Sequence, residues 1–374
     1  MKKIVKIFFG ISALFFSLSF VSKANALDIV FAEDRPDLRT LDPRITQSRH
    51  EEMLIVNMFD QLIAADSKGN HYPGLAKSWN VSSDGLEYTF SLRNDVTFHD
   101  GTKFNAAAVK ATFDSIVDPE TGSQGAVDIL GPYKETVVVD DYTAKVVFER
   151  RYGSALTAFT ETELSIVSPT ALSSLGNDGF GMAPVGTGPF MFKNWEANKK
   201  VELVRNPDYN WAPEYMDGSG PSQVANLTYR LIKDTSTRVA ALEAGEIDIA
   251  ELVPPLDMNR FDSSGDLATV AGTVSGLPYA AFLNTTVGVF QDINVRKAFF
   301  HSLDRVKMTS DLFFGYAEAA FGPISSSTPS YWKGNEDYYG YNPDGAAALL
   351  EEAGWKMGSD GIREKNGEKL NVFF

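Results

Sequence analysis

The sequence predicts an α/β protein of more than one domain. Apolar runs of strand length alternate with segments of helical period from one end of the chain to the other, and no repeat or low-complexity linker interrupts them. At 374 residues the chain exceeds what one hydrophobic core ordinarily organises. Its 44% hydrophobic and 12% aromatic content can fill several cores and is far above that of a disordered polypeptide.

The first segment is set apart from that fold. Lys2, Lys3 and Lys6 precede an apolar run from Ile7 to Val21 that ends at Ala24-Asn25-Ala26, the pattern of a secretory signal peptide cleaved after Ala26. The run is shorter than the ~20 apolar residues of a spanning helix and is interrupted by Ser12, Ser17 and Ser19. The chain has no cysteine, which excludes an acylated-cysteine tether, a disulfide framework and a thiol nucleophile. Setting aside Lys2, Lys3, Lys6 and Lys23 leaves 30 basic side chains against 49 acidic ones, a balance near −19. Nucleic acid and anionic membrane surfaces need a positive footprint, so neither is expected as a partner. An acidic, soluble periplasmic protein fits these features.

The elements follow in order. Leu27 to Phe31 is a short apolar run, and the two prolines and alternating charges of Arg35 to Pro43 predict a loop. Leu54, Met58 and Leu62, joined by Ile55 and Phe59, predict a helix from Glu51 to Ile63 lying on the first sheet. Glu87 to Leu92 alternates as a half-buried strand does, with the turn dipeptides Asp84-Gly85 before it and Asp100-Gly101 after it, so a small β-rich subdomain is expected here.

Phe190 to Trp195 and Lys200 to Arg205 read as a hairpin connected through Asn198, and Leu227 to Ile232 as a further strand. Asp234 or Thr235 caps a helix that stops at Gly245 and feeds Ile247 to Ala250. Beyond about Ala271 the pattern starts afresh. A strand is predicted from Tyr279 to Asn284, then a helix opened by Asp292 with Val295, Phe299 and Leu303 on one face. Asn342 caps the last helix, Pro343 takes its first position, Ala346, Leu349, Leu350 and Ala353 form its stripe, and Gly354 ends it. Leu370 to Phe374 reads as the opening of an apolar strand.

Motifs for catalysis are missing. There is no G-x-x-x-x-G-K-[ST], no G-x-S-x-G and no H-x-x-x-H. His50-Glu51-Glu52 is half of a zincin pattern and lacks the second histidine, so no metal set is read there. Pro189 and the strand after it are wrong for a phosphate loop at Gly186-Thr187-Gly188, which predicts a tight turn instead. His99-Asp100-Gly101 reads as turn chemistry rather than as a catalytic dyad. No catalytic residue and no cofactor is predicted.

Several stretches, in order, resemble one family. They are Leu75 to Trp79, Asp84 to Arg93, Val96 to Gly101, Phe104 to Ala106, Gly186 to Phe190, Asn206 to Tyr209, Gly245 to Asp248, Asn284-Thr285, Val295 to Ala298, Leu303 to Arg305, and Tyr341-Asn342-Pro343 through Trp355. Together they resemble extracellular solute-binding protein family 5, the peptide- and nickel-binding components of ABC importers. Asn210-Trp211 after Asn206 to Tyr209 departs slightly from its pattern. The resemblance implies a type II-like two-lobed periplasmic binding protein with a small domain inserted in lobe one, closing on a ligand like a hinge.

On that resemblance, 1–26 is the signal peptide, 27–60 and 190–272 form lobe one, 61–189 the inserted α/β subdomain, and 273–374 the first part of lobe two. Family members continue past Phe374, so the second lobe is expected to be incomplete. The resemblance further implies that Asp37, Leu38, Arg39 and Thr40, after the first strand, face the interlobe cleft, as do Tyr279, Ala280 and Ala281 on the first strand of lobe two. Arg39 offers a guanidinium to a carboxylate and Asp37 a carboxylate to an amine. The implied ligand is a di- or oligopeptide, with a metal chelate or an opine-like solute as the alternative and a secreted hydrolase as the alternative of another class. The implied partner is a membrane permease, and the implied state a monomer.

Overall fold

A computed structural model describes residues 27–372 apart from 35, 36, 217, 219, 266, 329, 330 and 339. The expected signal peptide, residues 1–26, therefore lies outside the described residues, as do Arg35 and Pro36 of the first loop. No helix among the described residues is long and apolar enough to cross a membrane.

The central sheet has five strands in the order Ile249–Ala250, Leu27–Glu33, Val224–Leu231, Lys200–Arg205 and Phe190–Glu196. Leu27–Glu33 runs parallel to both of its neighbours, and the other two pairings are antiparallel. Parallel strands need cover on both faces, and the residues supply it by alternation. Phe31 packs with Leu54, Ile55, Met58 and Phe59 on one face, whereas Val30 and Ala32 pack with Ala241 and Ile247 on the other. The hairpin connection holds Asn198 at φ 58°, a left-handed conformation that asparagine tolerates.

A second sheet, antiparallel, has the order Ala76–Val81, Glu87–Leu92, Thr143–Phe148, Tyr133–Asp140. Helix Ala106–Val117 covers it; Asn105 caps this helix by accepting from the Ala108 N–H at 3.1 Å. Its inward face brings Phe113 onto Phe159, and Phe90 meets the same ring edge-on. Each such ring, taken fully out of water, contributes ~1.5–3 kcal/mol.

Beyond residue 271 the architecture is sparser. Helices Ile293–Ser302 and Pro343–Glu352 pack around Val295, Ala353 and Trp355, beside a small three-stranded sheet spanning 356–369. Both predicted caps are present, Asp292 accepting from the Asn294 N–H and Asn342 from the Gly345 N–H.

Three expectations are corrected. The first helix spans only Arg49–Ile55. Its continuation is taken apart by the segment 186–190, whose Gly188 and Phe190 N–H groups donate to the carbonyls of Met58 and Asn57. Second, Tyr279 to Asn284 is not a strand. A strand exists through its ladder, and none of these residues has a backbone hydrogen bond among the described residues. Third, Leu370 to Val372 is not a strand either; it follows Glu368–Lys369, and 373–374 lie outside the described residues.

Candidate functional site

In an open sheet with parallel strands, a ligand lies beyond the strands' carboxyl ends. Here that position is taken by the segment after Leu27–Glu33. Glu51, buried in the first turn of the Arg49–Ile55 helix, fixes it: one carboxylate oxygen accepts from the Arg39 N–H at 2.7 Å and the Thr40 N–H at 3.3 Å, the other from the Thr46 hydroxyl at 2.6 Å. Just beyond, Arg44 and Asp42 form a fully buried bidentate pair at 3.0 and 2.5 Å, and the guanidinium also donates to Ser115 and Asn177. The loop is thus held at Arg39 and Thr40 by Glu51 and at its far end by the Asp42–Arg44 pair.

A cavity of about 340 Å³ opens there, lined by Asp37, Leu38, Arg39, Ser48 and Glu51. Asp37 and Arg39 are exposed and form no ion pair among the described residues. Fixed backbone with unsatisfied opposite charges 2 residues apart suits a small zwitterion. Next to it a more apolar groove of about 700 Å³ runs past Phe31, Ile249, Glu251 and Val270 to Phe313 and Tyr316. Tyr279, Ala280 and Ala281 line neither space; all three are exposed.

The stretches that carried the family resemblance do a different job. Gly186 and Gly188 lie against Met58 and Phe59, where a Cβ would stand 2.1 Å from the Met58 oxygen or 2.5 Å from its carbonyl carbon. The Gly188 carbonyl accepts from Asn206 Nδ2 at 3.1 Å and lies 3.0 Å from His99 Nε2. Asp60 accepts from Thr187, Tyr209 and Trp211 at 2.8, 3.1 and 3.0 Å. Burial pushes the Asp60 carboxyl upward against these three bonds, and burial lowers His99 to about 4, so the ring is neutral. These residues join the two sheets. Asp100-Gly101 is a turn, with Gly101 at φ 81°, and the Asp100 carboxylate accepts from the Ser168 hydroxyl.

Sequence reasoning missed one group. Glu33, His50 and Glu251 come from three elements, and one donor atom of each lies within 4.8 Å of the others. The Glu51 of the half-zincin pattern points away, into the loop; no local spacing announces the trio.

Comparison with known proteins decides the family. Residues 70–374 match the model of bacterial extracellular solute-binding proteins, family 5 Middle. The chain belongs to this family. It is similar to the glutathione-binding protein GsiB of Shigella flexneri serotype 5b, 28% identical over 347 residues that make up 93% of this chain and 65% of that protein. Among solved structures, NikA from Brucella suis in complex with Fe(III)-EDTA aligns with a TM-score of 0.76 at 27% identity, covering 92% of this chain and 68% of that one. DppA from Helicobacter pylori in complex with the peptide STSA aligns at 0.69 and 27% identity, covering 87% and 66%. This family 5 chain thus has the mixed α/β fold of two-lobed binding proteins and spans about two thirds of its relatives' length. The GsiB and DppA relatives are both named as binding proteins.

Proposed function

We propose that this chain is the substrate-capturing component of an ABC importer, exported by the leader at residues 1–26 and working as a periplasmic monomer. It takes up di- or oligopeptides and hands them to a membrane permease. The match of residues 70–374 to the family of solute-binding proteins carries this reading. Asp37, Leu38, Arg39 and Thr40 form one wall of the peptide site, with Arg39 for the carboxylate and Asp37 for the amine. Tyr279, Ala280 and Ala281 supply the other wall. Their exposed backbone has no hydrogen bond among the described residues, which suits pairing with an extended peptide as an added strand.

Native mass spectrometry of the chain from Leu27, with and without a pool of di- to pentapeptides, tests this. Peptides retained by the chain and lost in Arg39→Ala and Asp37→Ala support it; an empty chain in the presence of the whole pool rejects it. A carboxylate-rich metal chelate is the second reading, favoured by the alignment with the Fe(III)-EDTA complex. The same spectra separate the two by mass.

A further inference from the structure

Beside the loop, but separate from the 37–40 wall, the ends of two parallel strands and the start of a helix meet. Glu33 ends the strand Leu27–Glu33, Glu251 directly follows Ile249–Ala250, and His50 stands in the first turn of Arg49–Ile55. We propose that Glu33, His50 and Glu251, with Asp34 alongside, form a binding site for one divalent transition-metal ion, with zinc as the fitting probe.

The argument begins with unmet bonds. Both oxygens of Glu33, one each of Asp34 and Glu251, and Nδ1 of His50 are buried without a hydrogen-bond partner. Glu33 has no solvent exposure at all. Buried polar groups in folded proteins are paired almost without exception, and a buried carboxylate lacking a counter-charge is strongly destabilising. Among the described residues His50 Nδ1 lies at ion-pair distance from Asp34 and Glu251, but no cationic side chain pairs with Glu33. The Arg238 guanidinium is occupied by main-chain carbonyls, among them those of Ile232, Glu251 and Leu252.

The spacing fits an ion. His50 Nδ1 stands 3.4 Å from Glu251 Oε1 and 3.6 Å from Asp34 Oδ1. Two donors ~2.0–2.1 Å from a tetrahedral zinc stand ~3.3–3.4 Å apart. An imidazole nitrogen with carboxylate oxygens selects zinc-like borderline ions over calcium, which prefers oxygen alone, and over soft ions, which prefer thiolates this chain does not have. Bound there, the ion ties the loop at Asp34 to the rim of the apolar groove at Glu251.

Isothermal titration of the EDTA-stripped, dialysed chain with zinc chloride tests the site directly. One equivalent is expected to bind saturably and to raise the thermal midpoint. His50→Gln, at a half-buried position that tolerates the change, and Glu33→Gln are each expected to weaken binding by at least the ~10–100-fold that loss of an outer-shell partner costs. Glu368→Gln, exposed on the small sheet, is the unchanged control. No saturable binding, or binding that survives His50→Gln undiminished, overturns the proposal. Peptide capture is measured separately in zinc-free buffer, so a failed metal site leaves the transport reading untouched.

Discussion

Phe113 and Phe282 are the same side chain in two regions of one molecule, and their fates are opposite. Phe113 is fully buried between a sheet and a helix, whereas Phe282 is 80% exposed. The contrast extends to whole regions. Phe90, Phe104, Phe148 and Phe159 share the packing of Phe113, while Val270, Leu277, Tyr279, Leu312 and Trp332 all lie more than half exposed. Apolar patterning specifies burial only where a second apolar surface meets it. In residues 76–148 the sheet and its helix come from one short stretch of sequence; in 271–341 the described residues offer no partner strand.

The largest expected effect tests that contrast at its root. Phe113→Ala should cost ~3–5 kcal/mol in urea unfolding, and Phe282→Ala less than ~0.5 kcal/mol. A comparable loss at Phe282 breaks the comparison, since it requires that segment to be packed in solution.

A pH series sharpens it next. The His99 ring is held neutral at the junction of the two sheets, with its pKa depressed from the ordinary 6.5 to about 4. Between those values the unfolded chain takes up a proton that the fold refuses, so stability falls as pH falls. Over that window the loss reaches about 3 kcal/mol. His99→Gln, which keeps a donor for the Gly188 carbonyl, should flatten this dependence between pH 6.5 and 4. Unchanged pH dependence in the variant would mean that the junction does not enclose the ring.

What the sequence disclosed follows the same division. Alternation and turn chemistry marked Glu87–Leu92 and its flanking glycines because their partners and constraints are local. The caps Asp234, Asp292 and Asn342 were legible for the same reason. The end of the first helix at Ile55 was not, because a glycine segment about 130 residues later withdraws the carbonyls of Asn57 and Met58. Resemblance pointed to the loop at Asp37 to Thr40 but not to the clamp under it, and the trio of Glu33, His50 and Glu251 was hidden because no spacing connects residues brought together only by sheet order.

Loosening the well-packed region at the proposed peptide wall is a smaller effect. Glu51→Gln replaces a carboxylate that accepts three bonds and should cost ~1.5–3 kcal/mol. Part of that should appear as peptide affinity weakened about 10-fold by calorimetry, because the Arg39 and Thr40 backbone is no longer fixed. An affinity unchanged from wild type would separate the clamp from the binding wall.

The smallest effect divides the two regions most cleanly. Asp234 and Asp292 cap helices of similar length in the two regions, each through one carboxylate oxygen on a backbone N–H, at 2.7 and 2.8 Å. Substitution by alanine should remove ~1 kcal/mol from either helix. Thr235–Glu243 is docked on the central sheet through Ala241 and Leu242, so Asp234→Ala should move the main unfolding transition. Ile293–Ser302 rests instead on a cluster of Val295, Ala353 and Trp355 that includes no residue of the central sheet, so Asp292→Ala should speed amide exchange in 293–302 and leave the main transition in place. Equal shifts of that transition would mean that residues 271–372 unfold with the central sheet as one cooperative unit, in spite of the surface they expose.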